Sequence, residues 1–265
     1  MTNADEPASL VRTVLESADL AAAWERHAAQ FVAWARAPGH DSYWRFHRDQ
    51  FLEIVPEAGP ATLDIGCGEG RLSRDLKALG HTVTGVDASP TMVKAARDAD
   101  PSIATHLADA AALPYGDATF DCAVAFMVLQ DVDDMPGAVR EAGRVLVPGG
   151  ALCIATVHPI NSAGRFAGDE PGSPFTISGS YLHSSVYEDE VTRNGLSMTF
   201  VSAHRPLSQY ADAIADAGLL VERIRETSIP EEAAGGGADR RWQRVPLFLH
   251  VRARKPLAFP PGTQA

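Results

Sequence analysis

Three glycines stand two apart at Gly66, Gly68 and Gly70, and a carboxylate, Asp64, precedes them. Glycine tolerates conformations and close approaches that a side chain forbids, so such a run can bring main-chain N–H groups up against a ligand. A second acid, Asp87, lies 21 residues after Gly66, and a third, Asp109, 22 residues further on. An acid at the position of Asp87 can accept hydrogen bonds from both hydroxyls of a ribose. It can also stand as a negative charge at a helix start, beside Ser89-Pro90, and the two roles are compatible. His158, in Thr156-Val157-His158-Pro159, has the residue type that moves a proton near neutral pH. A surface histidine held in an extended turn before a proline is the other reading. His204, in Ala203-His204-Arg205-Pro206, reads first as a helix cap and only then as a pocket residue. Asp131, Asp133 and Asp134 could gather a metal or a polyamine, but Asp133-Asp134 ahead of Met135-Pro136 reads first as an N-cap and first turn.

Spacing narrows the ligand of the glycine run. A dinucleotide fingerprint is G-x-G-x-x-G, with the pyrophosphate on a helix N-terminus. Here the pattern is G-x-G-x-G, and the position of the third dinucleotide glycine holds Arg71.

These residues need a scaffold, and the pattern supplies an α/β one. Short apolar strands are expected at Ala61–Ile65, Thr82–Val86, Ile103–Leu107, Phe120–Phe126 and Ala151–Val157. Helices fall between them at Gly70–Leu79, Thr91–Asp98 and Pro136–Leu146, so the glycine run joins the first strand to the first of these helices. Continuous apolar strands alternating with helices signal a parallel sheet covered on both faces. Helix Leu207–Ala217 and strands Leu219–Glu226 and Leu247–Arg254 resume the rhythm near the C-terminus.

Residues 158–203, rich in Gly, Pro and Ser, are expected to be an irregular insertion or lid. Ahead of the sheet, helices are expected at Ser9–Ala18, Leu20–Ala37 (ended by Pro38-Gly39) and Ser42–Val55. The chain thus divides into a helical cap (1–56), a ligand-binding core (57–157), an insertion (158–203), a C-terminal part of the sheet (204–256) and a tail (257–265).

Leu63-Asp64-Ile65-Gly66-Cys67-Gly68-Glu69-Gly70 resembles motif I of the class I S-adenosylmethionine-dependent methyltransferases, of the small-molecule type. Asp87 falls where that family keeps its ribose-binding acid, and Leu107-Ala108-Asp109-Ala110 resembles its adenine-binding motif. Phe120-Asp121 through Gln130-Asp131 resembles the family's fourth strand. Arg144-Val145-Leu146-Val147-Pro148-Gly149-Gly150 resembles the motif before the fifth. Five motifs in order, over about residues 60–157, are more specific than one glycine loop.

The resemblance implies a Rossmann-like doubly wound seven-stranded sheet whose last strand is antiparallel. It implies S-adenosylmethionine as cofactor, leaving as S-adenosylhomocysteine, held by Asp64, Gly66, Cys67, Gly68, Asp87, Ala88, Met92, Asp109, Ala110 and Phe126. Similar small-molecule methyltransferases close an N-terminal helical lid over the site, which would bring Tyr43, Trp44 or His47 onto the cofactor. Trp24, Tyr181, Tyr187 and Phe200 would then line the acceptor pocket, although packing against the sheet is the first reading for the N-terminal aromatics.

Composition limits the partners. The net charge is −11 over 265 residues, which disfavours nucleic acid and anionic membranes. The cations Arg240, Arg241, Arg244, Arg252, Arg254 and Lys255 read as a solvated loop and a strand face. Cys67, Cys122 and Cys153 show no metal-ligand spacing and fit reduced cytoplasmic thiols, and MTNADEPASL is no secretory signal. The expected activity is methyl transfer to oxygen or nitrogen, less so carbon, of a small molecule. An NAD-dependent oxidoreductase and a non-catalytic cofactor-binding module are the alternatives. A homodimer remains open.

Overall fold

Burial orders the chain around one sheet. The computed structural model describes residues 9–37, 39–193 and 195–257. The N-terminal signal reading, Pro38 and the tail beyond Leu257 lie outside them.

The elements run β1 (Ser9–Leu15), α1 (Leu20–Arg36), a π-helical turn (Tyr43–His47) leading into α2 (Arg48–Leu52), β2 (Thr62–Ile65), α3 (Arg71–Ala78), β3 (Val83–Asp87), α4 (Pro90–Ala99), β4 (Ala104–Leu107), β5 (Phe120–Phe126), α5 (Met135–Val145) and β6 (Leu146–Val157). The second half contains α6 (Pro159–Ala163), β7 (Gly164–Phe166), β8 (Phe175–Ile177), β9 (Ser185–Arg193), β10 (Leu196–His204), α7 (Leu207–Asp216), β11 (Leu220–Thr227) and β12 (Phe248–Arg254).

The main sheet has seven strands in the order β11-β12-β6-β5-β2-β3-β4. β4, β3, β2, β5 and β6 are parallel, and β12 runs antiparallel to both β6 and β11. This is the expected doubly wound sheet with its last strand reversed. β2 and β5 sit centrally and bury nearly every residue, because helices cover both faces. One core face gathers Leu63, Ile65, Leu129, Leu146 and Ile154 against α5 and α7. The other packs Phe51, Ile54, Leu76, Val124 and Phe126. Caps fix the helix starts: Ser89 accepts from Met92 N–H at 3.0 Å with Pro90 behind it, and Asp134 accepts from Gly137 N–H at 2.8 Å. No helix among the described residues is long and apolar enough to cross a membrane.

Two expectations are corrected. Ser9–Ala18 is not a helix; Ser9–Leu15 is a strand pairing antiparallel with β9. Its Val11, Thr13 and Val14 are β-branched, which suits a strand once the edge of β9 offers a ladder. Residues 158–203 are not irregular either. β9 and β10 form a long hairpin, Arg193 pairing with Leu196, and with β1 they make a separate three-stranded sheet. The Asn194-Gly195 dipeptide between two alternating segments is the hairpin signal in the sequence.

The C-terminal cations are engaged within the fold. Arg241 meets Asp169 and the carbonyl of Gly168, Arg244 the carbonyls of Pro171 and Ser173, and Arg252 and Arg254 share Glu222.

Candidate functional site

The carboxyl ends of β2, β3 and β5 open into a cavity of about 500 Å³. That lies within the ~300–1,000 Å³ usual for small-molecule pockets. Its near half is the glycine loop. Gly66 and Gly68 adopt left-handed backbone (φ +66° and +56°), where a Cβ is strained. At Gly66 a Cβ would also strike Val128. Asp87 holds the loop in place: its Oδ2 accepts from Gly68 N–H at 2.8 Å and its Oδ1 from Ser89 N–H at 2.9 Å. Burial pushes the Asp87 carboxyl up. Asp64 is 1 % exposed and accepts from Ser73 Oγ at 2.6 Å; burial, with nearby Asp87 adding to it, pushes its carboxyl up to about 7.

The cavity is ringed by acids. Asp41, Asp64, Glu69, Asp87, Asp109, Asp131, Asp133, Asp134 and Asp189 all line it, against one lining cation among the described residues, Arg71, which is paired with Asp41 at 2.6 Å. Glu69 is balanced by Arg36 and Arg74, and Asp189 by Arg12. Such a rim repels a pyrophosphate and attracts a cation. A ligand carrying a cation and a ribose suits this lining better than one carrying a pyrophosphate.

The far half is walled by Trp24 and Phe31 of α1, Phe126, Val157, Phe200 and Phe248. Trp24 meets Phe31 and Phe200 edge-on, at centroid separations of 5.5 and 6.2 Å. His47 closes one side, stacked on Phe248 at 3.6 Å, with its Nε2 2.9 Å from Nε2 of His250. Burial first, and the facing imidazole second, push His47 well below the ordinary histidine value. The π-helical turn is what delivers His47 to the cavity.

All ten motif residues expected around the cofactor line this one cavity: Asp64, Gly66, Cys67, Gly68, Asp87, Ala88, Met92, Asp109, Ala110 and Phe126. His47, Trp24, Tyr187 and Phe200 line it as well. The remaining sites are elsewhere. The Tyr43 hydroxyl donates to Asp75 at 2.6 Å and its ring lies under Arg71, behind the wall. Trp44 is 46 % exposed and donates to the Ala35 carbonyl. The Tyr181 hydroxyl accepts from Leu207 N–H.

Neither histidine expected to move protons reaches the cavity lining. His158 is 2 % exposed; its Nδ1 accepts from Ile160 N–H and its Nε2 therefore donates to Glu226 at 2.9 Å. Burial lowers its basicity, with Glu226 opposing. His204 is held between Ser162 Oγ and the Tyr181 carbonyl. Asp131, named in the sequence only as a member of an acidic group, lines the cavity, as do Asp133 and Asp134. Its neighbour Asp134 is the N-cap, and no group of three or more metal-ligating side chains occurs among the described residues.

Comparison with known proteins agrees with this geometry. Residues 63–154 match the methyltransferase domain family. The chain is 34% identical over 123 residues to demethylmenaquinone methyltransferase of Tropheryma whipplei (strain Twist), covering 45% of this chain and 50% of that protein. It is 34% identical over 139 residues to malonyl-[acyl-carrier protein] O-methyltransferase of Salmonella typhimurium, covering 52% and 53%. The chain thus spans about half the length of the curated relatives it matches. Among solved structures, an S-adenosylmethionine-dependent methyltransferase from Mesorhizobium loti superposes with a TM-score of 0.64 at 27% identity, over 81% of this chain and 98% of that one.

Proposed function

We propose that this chain, whose residues 63–154 are a class I methyltransferase domain, transfers a methyl group from S-adenosylmethionine to an oxygen or nitrogen of a small-molecule acceptor. The observation that carries the reading is the convergence of all ten motif residues on one acid-lined cavity. Bound there, the cofactor supplies a methyl carbon made electrophilic by a sulfonium. The protein supplies the rest. Asp87 still has lone pairs for ribose hydroxyls after accepting the Gly68 and Ser89 N–H groups. As the family resemblance implies, Asp109 would hold the adenine end, the Gly66–Gly68 backbone the methionine end, and Phe126 would lie by the sulfur; all of these line the cavity. α1, β9 and β10 cover the far half, exclude water and align the acceptor. Such alignment alone supplies about 7–11 kcal/mol of barrier reduction.

Calorimetry with S-adenosylhomocysteine tests the cofactor; one-to-one binding is expected, and its absence overturns the reading. A radiolabelled-methyl assay across small molecules then tests transfer. Thermal stabilisation by NADH but not by S-adenosylmethionine would return the chain to the dinucleotide alternative.

A further inference from the structure

We infer that Asp131 is the acceptor-binding carboxylate and proton acceptor of this site, and that the acceptor is an aromatic amine-bearing molecule entering as its ammonium. The inference rests on the methyltransferase reading and deepens it.

The geometry around Asp131 is built rather than incidental. Thr156 Oγ donates to Gln130 Oε1 at 2.9 Å, which turns the Gln130 amide N–H towards Asp131 Oδ2 at 3.0 Å. Ser202 Oγ donates to the other oxygen, Oδ1, at 2.6 Å. Behind the loop, Arg205 holds the carbonyls of Leu129 and Val132 at 3.0 and 2.6 Å, fixing the backbone that presents Asp131. Three side chains from β6, β10 and the loop after β5 thus orient one carboxylate on the cavity wall.

The environment selects a cation. Unlike Asp41, Glu69 and Asp189, Asp131 has no cation at ion-pair distance among the described residues. Asp133, beside it on the lining, has none either among the described residues; its carboxylate accepts from Leu20 N–H and its carbonyl from Arg205. Trp24 and Phe200 form the adjoining wall, and aromatic faces beside a carboxylate favour an ammonium on a planar body. The Trp24 indole N–H is buried without a hydrogen bond of normal length, yet lies near enough to favour the charged form of Asp131. Burial outweighs these donors and pushes the carboxyl up to about 8. The other charged or titratable groups facing it are Arg205, Tyr187 beside the Arg12–Asp189 pair, and Tyr210. Only the ionised form of Asp131 binds an ammonium and accepts its proton, and its raised value makes that form the stronger base.

In turnover the ammonium gives one proton to Asp131. The freed nitrogen lone pair forms the new bond to the methyl carbon, and the electron pair of the broken carbon–sulfur bond stays on sulfur. The positive charge passes from sulfur to the methylated nitrogen, and the proton on Asp131 returns to water.

The test uses the S-adenosylhomocysteine-loaded protein with a matched pair of probes, phenethylamine and phenethyl alcohol, titrated by NMR. The amine is expected to bind about ten- to a hundredfold more tightly. Asp131→Asn should abolish that preference while leaving S-adenosylhomocysteine affinity unchanged. The preference should also weaken as pH falls below about 8, and Ser202→Ala should move that midpoint upward. Equal affinity for the two probes, binding of neither, or an amine preference that survives Asp131→Asn overturns the inference. Failure of S-adenosylhomocysteine to bind wild type would instead sink the methyltransferase reading itself.

Discussion

The two halves of the cavity are built in opposite ways. The cofactor half is assembled from consecutive strand ends: Asp64 to Gly68 after β2, Asp87 to Met92 after β3, and Asp109 with Ala110 after β4. The acceptor half joins Trp24 and Phe31 of α1, Gln130 and Asp131 after β5, and Tyr187, Phe200 and Ser202 of the β9–β10 hairpin. The first is a property of the parallel sheet, since ligands bind at the carboxyl ends of its strands. The second is a tertiary contact between a cap and that sheet, held by side-chain ties. The difference teaches that cofactor and acceptor specificity can vary independently on this scaffold.

The largest effect that separates the halves is one of pH. Asp64 in the cofactor half is pushed up to about 7, and Asp131 in the acceptor half to about 8. A carboxyl whose folded value is raised stabilises the fold fully below its unfolded value near 4, and that contribution is lost as pH rises through the folded value. Each unit of displacement corresponds to about 1.4 kcal/mol, so together they amount to several kcal/mol even after discounting solvent relaxation around Asp131. Urea denaturation of the ligand-free protein should therefore show stability falling from about pH 4 to about pH 8 and levelling off above that. Asp64→Asn should remove the part of the fall that levels off near pH 7, and Asp131→Asn the part that continues to near pH 8. A flat profile in wild type would show that both acids are already ionised.

The second effect is confined to the cap. Arg12 on β1 makes a two-pronged pair with Asp189, both bonds at 2.7 Å, and also reaches the carbonyls of Asn161 and Ser162. Its guanidinium lies over the Tyr187 ring at 4.3 Å. Arg12→Ala leaves a largely buried carboxylate without its counter-ion, at a cost of about 3–5 kcal/mol. Hydrogen exchange should speed up in β1, β9 and β10 while β2 and β5 stay protected, and S-adenosylhomocysteine should still bind. Loss of protection in β2 would mean that cap and core unfold together.

Gly66→Ala is the converse probe. Left-handed backbone costs about 1–2 kcal/mol for a residue with a Cβ. Crowding against Val128 adds about 1–3 kcal/mol. Both penalties fall on the cofactor half, so S-adenosylhomocysteine affinity should collapse while protection in the β9–β10 hairpin persists.

The same contrast explains what the sequence revealed. The glycine loop, Asp87 and Asp109 were legible because each sits at a fixed offset from an apolar strand, and strand periodicity is a local signal. The N-cap of α4 was legible for the same reason, since Ser89-Pro90 carries its own chemistry. β1 was misread as a helix because seven residues with apolar Val11 and Val14 suit either period, and the deciding partner, β9, lies about 175 residues away. Asp131 was passed over beside Asp133-Asp134, whose capping role is local. Its burial depends on Ser202, 71 residues further on. His158 drew notice from its strand-end position, yet its ring is spent on Glu226 and the Ile160 amide.

The smallest effect tests whether the halves are coupled at all. Glu25 on α1 accepts from Ser89 Oγ and from Thr91 Oγ1 (2.6 Å), joining the cap to the first turn of α4. Ser89 is also the residue whose N–H grips Asp87. The Glu25 bonds keep its carboxyl below the usual range despite the opposing effect of burial. Glu25→Ala removes two side-chain hydrogen bonds at a mostly solvated site, worth about 0.5–1.5 kcal/mol. If the clasp only fastens the cap, that loss appears as faster exchange in α1 with unchanged S-adenosylhomocysteine affinity. Because the same serine holds both Glu25 and Asp87, we expect affinity to fall as well, by about two- to tenfold. Calorimetry on the Glu25→Ala variant beside Arg12→Ala separates the two cases: Arg12 ties the cap to itself, whereas Glu25 ties it to the ribose-binding acid.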